Sequence, residues 1–190
     1  MNDYAASVLS KLEMVDRFEA LAEATRLRIP ELTGLRETVI EQYQRLRDAP
    51  DTRKTHLFGG RYENIYIERE RIEGLDAILD TAATAAAEIA GVSVPLSVGF
   101  WFNEMQPGHE TTLHTHDDDD EILSGVFYLN VPDNSGDLLL GRAGEQISIP
   151  PVESAFVFFS PKLPHAVSEN RSAEMRLSIG MNFGVRRDED

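Results

Sequence analysis

The stretch LHTHDDDDEILSGVFYLNVP, Leu113 to Pro132, sets two histidines two residues apart, follows them with five consecutive acids and then enters a β-branched and aromatic run. The chain has no cysteine, which excludes disulfides, zinc–thiolate centres and thiol nucleophiles. A metal here must be held by imidazole nitrogens and carboxylate oxygens. Alternate residues of an extended segment share a face, so His114, His116 and Asp118 point the same way. His165 follows about fifty residues later in SPKLPHAV, where Pro161 and Pro164 stiffen the approach. Arg176 stands eleven residues beyond His165 and two before Ser178. Two histidines and a carboxylate on one side of an ion leave open positions opposite, where O2 and a co-substrate can bind. Asp117, Asp119, Asp120 and Glu121 read as solvated loop acids. His56 and His109 read as surface residues.

These groups must be carried by a framework, and the 190 residues, 42% of them apolar, suffice for one domain with its own core. A net charge of −15 argues against a nucleic-acid partner, whose phosphates it would repel. No apolar stretch approaches the ~20 residues that span a bilayer. The acidic, amphipathic MNDYAASVLSKLEMVDRF lacks an apolar signal core, so the expected setting is the cytoplasm.

The first half reads as helical. Tyr4, Val8, Leu12 and Val15 recur at helical spacing, and their apolar stripe would suit a homodimer. Pro30 opens a second helix carrying Leu32, Leu35, Val39, Tyr43 and Leu46, which stops near Asp48-Ala49-Pro50-Asp51. A third runs from about Leu75 to Ala90 and ends at Gly91. Between them lies THLFGGRYENIYI, whose Arg61, Glu63 and Asn64 could reach a ligand or belong to a turn before a short strand. From Val92 the period becomes two. Strands are expected at 94–103, SGVFYLNV, LLL, ISI, SAFVFF, HAV and MRLSIGMNF, separated by turn residues.

Helices followed by strands give an α+β domain spanning 1–190, with 1–91 a mainly helical support and 92–185 a β core. The last strand is the most telling. Met175, Leu177, Ile179, Met181 and Phe183 make one apolar face, which can pack on the helices. Arg176, Ser178, Gly180 and Asn182 make the other, and an arginine looking into a barrel is costly unless an anion meets it. A half-exposed sheet would alternate in the same way.

Together, HTHDDDDEILSGVFYLNVP and FVFFSPKLPHAVSENRSAEMRLSIGMNF resemble the 2-oxoglutarate/Fe(II)-dependent oxygenases. The resemblance is nearest to a bacterial and phage branch carrying H-x-H-P…L-S-G-V-Y-Y and a later H-x-V…R-x-S…F-N, and it covers about Gly99 to Phe183. It implies a double-stranded β-helix, a jelly-roll, cupin-like fold with the N-terminal helices packed on its major sheet. It implies Fe(II), 2-oxoglutarate as co-substrate, O2, and hydroxylation of an unactivated C–H bond in a small molecule or a carrier- or peptide-bound group. Arg176 would hold the distal carboxylate of 2-oxoglutarate in a bidentate pair, helped by Ser178 and by Tyr128, with Asn103 nearby.

The loop is two residues longer here than in the pattern, which opens two registers. Counted from Gly108 the ligand pair is His114 and His116. Counted back from Ser124 it is His116 and Asp118. The metal set is therefore His116, Asp118 and His165, favoured because it supplies a carboxylate, or His114, His116 and His165. The residue left out would orient a ligand by hydrogen bond. Two further readings stand beside the oxygenase. One is a cupin-type three-histidine dioxygenase with Arg176 on the substrate's own carboxylate. The other is a non-catalytic jelly-roll sensor of the metal or of 2-oxoglutarate.

Overall fold

The computed structural model of the chain describes residues 19–21, 24–116 and 121–185. In chain order the elements are β1 (Glu19–Leu21), β2 (Ala24–Arg28), a 3-10 turn at Pro30–Leu32, α1 (Thr33–Leu46), β3 (Arg53–Phe58), β4 (Arg61–Tyr66), a 3-10 turn at Arg69–Arg71 and α2 (Leu75–Ala90). Then come β5 (Leu96–Met105), β6 (Thr111–His114), β7 (Glu121–Asn130), β8 (Leu138–Leu140), β9 (Ile147–Ile149), β10 (Ala155–Phe159), β11 (His165–Val167) and β12 (Arg176–Val185). An eight-stranded sheet runs β1-β2-β10-β7-β12-β5-β4-β3 and a four-stranded sheet runs β6-β11-β8-β9. Every strand pairing among the described residues is antiparallel, and the two sheets form a double-stranded β-helix of the jelly-roll type.

Alternation along β12 divides the molecule into two interiors. Leu177, Ile179, Met181 and Phe183 join Phe102 and Phe127 in a core against Val39 and Tyr43 of α1 and Leu75, Ile78, Leu79 and Ala82 of α2. The opposite face of the same strands meets the small sheet, where Tyr128, Val157 and Phe159 pack on Leu138, Leu140 and Ile149. The helices thus cover the outside of the major sheet and leave its inside for a cavity. α2 ends as its sequence requires: Gly91 takes φ 67°, and Val92 N–H reaches back to the Ala87 carbonyl at 3.0 Å.

The first half is less helical than its apolar spacing suggests, because four of the major sheet's strands come from it. Ala24 and Leu27 are buried three residues apart, a helical interval, yet β2 is a strand paired along β10 with Leu27 opposite Phe156. Partner strands override so weak a local signal. THLFGGRYENIYI forms the β3–β4 hairpin, turned at Gly59-Gly60 with both φ positive, and closes the other edge of the sheet. The stripe Tyr4, Val8, Leu12 and Val15 lies outside the described residues.

α1 is fastened to β5 by a buried polar contact. The Tyr43 ring lies 4.8 Å from Phe102, and its hydroxyl donates to Glu104 Oε2 at 2.9 Å. Arg47 pairs with the same carboxylate. Burial, and then the Glu104 charge, hold the Tyr43 phenol well above its ordinary range, so it stays a donor. Tyr43→Phe removes a bond to a charged acceptor, and chemical denaturation should register a loss of about 2 kcal/mol with the fold intact.

Candidate metal centre and anion pocket

β6 and β11 are neighbours in the small sheet, with His114 directly opposite His165. Their rings lie 4.2 Å apart, and the His116 ring lies 5.3 Å from His114 and 5.1 Å from His165. One nitrogen from each of the three histidines falls within 4.8 Å of the others, a group able to hold a metal ion.

Two backbone carbonyls orient this cluster. His165 Nδ1 is 2.9 Å from the Leu163 carbonyl, and His114 Nδ1 is 2.8 Å from the Thr112 carbonyl. A carbonyl only accepts, so each Nδ1 carries the proton and each Nε2 keeps its lone pair for a metal. His116 Nδ1 lies 3.3 Å from Asn182 Nδ2, which donates to Glu121 Oε1 at 2.6 Å while Asn182 Oδ1 accepts from Ser124 at 3.2 Å. Asp118 lies outside the described residues, as do Asp117, Asp119 and Asp120. Glu121 is not the solvated loop acid expected, because β7 begins at it and turns its carboxylate in toward Asn182 and His116.

Burial pushes the His165 imidazole down from 6.5 to about 4, against the pull of the Leu163 carbonyl, and the other two histidines press it the same way. The ring is therefore neutral at pH 7, the form a metal needs. The unfolded chain takes up a proton near 6.5 and the folded chain only near 4. Between these values only the unfolded state binds the proton, so stability is full above about 6.5 and declines as pH falls through that window. Denaturation of the metal-free chain should show about 2 kcal/mol lost from this residue between pH 7 and pH 5.

At the other end of the same cavity, of about 490 Å³, stand Arg176, Ser178, Tyr128 and Asn103. Arg176 is 1% exposed, opposite Met105 on β5. It donates to the Gly136 carbonyl at 3.3 Å and lies 3.5 Å from Met105 Sδ. Its Nε, the Tyr128 hydroxyl and Asn103 Oδ1 are buried without a hydrogen-bond partner among the described residues. The guanidinium carbon sits 5.2 Å over the Tyr128 ring. Burial raises the Tyr128 phenol above its ordinary value, so its O–H remains a donor. A buried cation and a phenol facing a cavity with bonds unmade fit an anion such as a carboxylate.

What holds these residues in place is not visible in their types or spacing. Arg61, a candidate for ligand contact, is instead a buried tie. It donates to the Glu110 carbonyl at 2.8 Å and to Thr111 Oγ1 at 3.3 Å, and it pairs with Glu63 at 3.0 Å, fixing the start of β6 to the hairpin. Its place after Gly-Gly gave no signal of that role. Glu63, Asn64 and His56 line the cavity. His109 is half-buried and accepts from the Gln106 backbone at 3.1 Å, which shapes the turn before β6.

Residues 100–184 match the family model described as 2OG-Fe(II) oxygenase superfamily. The fold is similar to a Pseudomonas putida prolyl-4-hydroxylase at 24% identity, covering 96% of this chain and 100% of that one with a TM-score of 0.66. A Trichoplax adhaerens prolyl hydroxylase, solved with a hypoxia inducible factor peptide fragment, matches at 15% identity over 96% and 90% of the two chains with a TM-score of 0.62. The epimerase SnoN, solved with Fe3+, alpha ketoglutarate and nogalamycin RO, matches at 13% over 95% and 84% with a TM-score of 0.66. A search of curated proteins returns no match.

Proposed function

We propose that this chain, whose residues 100–184 match the 2OG-Fe(II) oxygenase superfamily, is a member of it, with His114, His116 and His165 holding Fe(II) and Arg176, Ser178 and Tyr128 holding 2-oxoglutarate. The enzyme is an oxidoreductase that uses Fe(II), 2-oxoglutarate and O2. Iron held there would supply the oxidising chemistry, in which O2 gives one oxygen atom to 2-oxoglutarate, leaving succinate and CO2, and the other to a substrate C–H bond. The protein's share is ligation, orientation and a closed pocket. Thr112 and Leu163 keep two imidazoles in the tautomer that offers Nε2. Arg176 and the Tyr128 hydroxyl meet one carboxylate of the co-substrate, and Asn103 borders it. The observation that carries this reading is the pairing, in one cavity, of a three-nitrogen cluster with a buried guanidinium short of partners.

The substrate is a small molecule or the end of a carrier- or peptide-bound group, since about 490 Å³ must also take the co-substrate. Residues 1–190 act as one catalytic domain, in the cytoplasm, where 2-oxoglutarate is at hand. Among the described residues no helix is long and apolar enough to cross a membrane. Incubation with Fe(II), 2-oxoglutarate and O2 should release succinate slowly even without substrate. The three-histidine cluster also favours a second reading, a cupin-type dioxygenase with Arg176 on the substrate's own carboxylate. Absence of succinate with Fe(II), alongside O2 uptake on some other carboxylate, would favour that reading. Absence of turnover under every metal would leave a sensor.

A further inference from the structure

The oxygenase reading fills the inner end of the cavity and leaves its remaining wall without an assigned ligand. There Trp101 on β5 stands directly opposite Gly180 on β12. A Cβ at position 180 would fall 2.5 Å from Trp101 Cε2, 2.6 Å from Cζ2 and 2.7 Å from Nε1. The indole therefore lies against bare backbone, in a space only glycine leaves. Its ring is 6.1 Å from that of His116, and it lines the cavity. A half-buried tryptophan fixed in this way presents an aromatic surface beside the metal cluster.

Histidines aside, the described residues lining the cavity carry one cation, Arg176, and two carboxylates, Glu63, which pairs with Arg61, and Glu121, which accepts from Asn182. Tyr66, also in the lining, already carries the Arg53 guanidinium 3.8 Å over its ring. The chain as a whole bears −15. Tryptophan is the best aromatic partner for a cation, and a chain of such net negative charge draws cations toward it. We infer that Trp101 is the substrate platform and that the substrate offers it a positively charged nitrogen, an alkylammonium or guanidinium group. This rests on the cavity being the oxygenase's active site.

Trp101 is the chain's only tryptophan, so its emission reports on the platform directly. The full-length chain is titrated with choline, with its uncharged isostere 3,3-dimethylbutan-1-ol and with 3,3-dimethylbutanoate, first without metal and then anaerobically with Fe(II) and 2-oxoglutarate. Choline should bind at least about tenfold more tightly than the alcohol, and with 2-oxoglutarate occupying Arg176 the carboxylate should bind most weakly. Trp101→Leu, followed by calorimetry after a melting curve confirms folding, should lose about tenfold in choline affinity, and Trp101→Phe should recover part of it. Gly180→Ala, which displaces the indole, should weaken choline binding at least about fivefold. Equal or tighter binding of the alcohol, or unchanged choline affinity in Trp101→Leu, overturns the inference. Choline preference in a chain that never makes succinate would support the platform and defeat the oxygenase reading. Succinate formation without choline preference would do the reverse.

Discussion

Arg176→Ala raises the 2-oxoglutarate concentration needed for half-maximal succinate formation at least about tenfold and leaves Fe(II) affinity near wild type. Arg176 is fully enclosed, yet only a carbonyl and a thioether meet its NH1, and its Nε meets nothing among the described residues. Enclosure has already removed its water, so the co-substrate carboxylate gains a charge-assisted pair that solvent does not weaken. Such pairs contribute ~1.5–3 kcal/mol, which sets the tenfold floor. Arg176→Lys should recover only part of the loss, because an ammonium cannot make the planar two-bond fork. Titration of 2-oxoglutarate against succinate yield reads the effect. Unchanged affinity in Arg176→Ala would remove the arginine from the co-substrate site.

His165→Ala is expected to abolish turnover and to cut Fe(II) affinity by at least about a hundredfold, more than loss of a residue that merely orients a ligand. His165 is buried, it is held by Leu163 in the binding tautomer, and its ring lies 4.2 Å from that of His114 and 5.1 Å from that of His116. The metal-free variant should lose none of its stability between pH 7 and 5 on account of this site, since the group that resists protonation is gone. That separates a lost ligand from a misfolded chain. Asp119→Ala and Asp120→Ala should stay near wild type in iron affinity. A His165→Ala protein that still binds iron like wild type would contradict the site.

Much of this is legible in the sequence. Alternation in 94–103 and 175–183 points to two of the sheet's central strands, observed at Leu96–Met105 and Arg176–Val185, and the short apolar runs point to β8 to β11, because period two leaves few alternatives when turn residues bound each run. Arg176 and Ser178 could be put on the cavity face from alternation alone. β2 lies outside the expected strands because Ala, Leu and both Arg of ATRLR favour helix, and its register along β10 makes it a strand. The Arg61 tie and the Asn182–Glu121 contact were also hidden. Each joins residues about fifty or sixty apart whose proximity arises only when sheets close. Likewise, Gly180 looks like an ordinary weak point in a strand until Trp101 is found lying on it.

The most direct test is Fe(II) affinity measured for His114→Ala and Asp118→Ala side by side. His114 faces His165 across β6 and β11 and offers Nε2, so His114→Ala should lose nearly all metal binding, while Asp118→Ala should keep most of it. Wild-type iron affinity in His114→Ala, with binding lost in Asp118→Ala, would contradict the three-histidine centre and move the site to His116, Asp118 and His165.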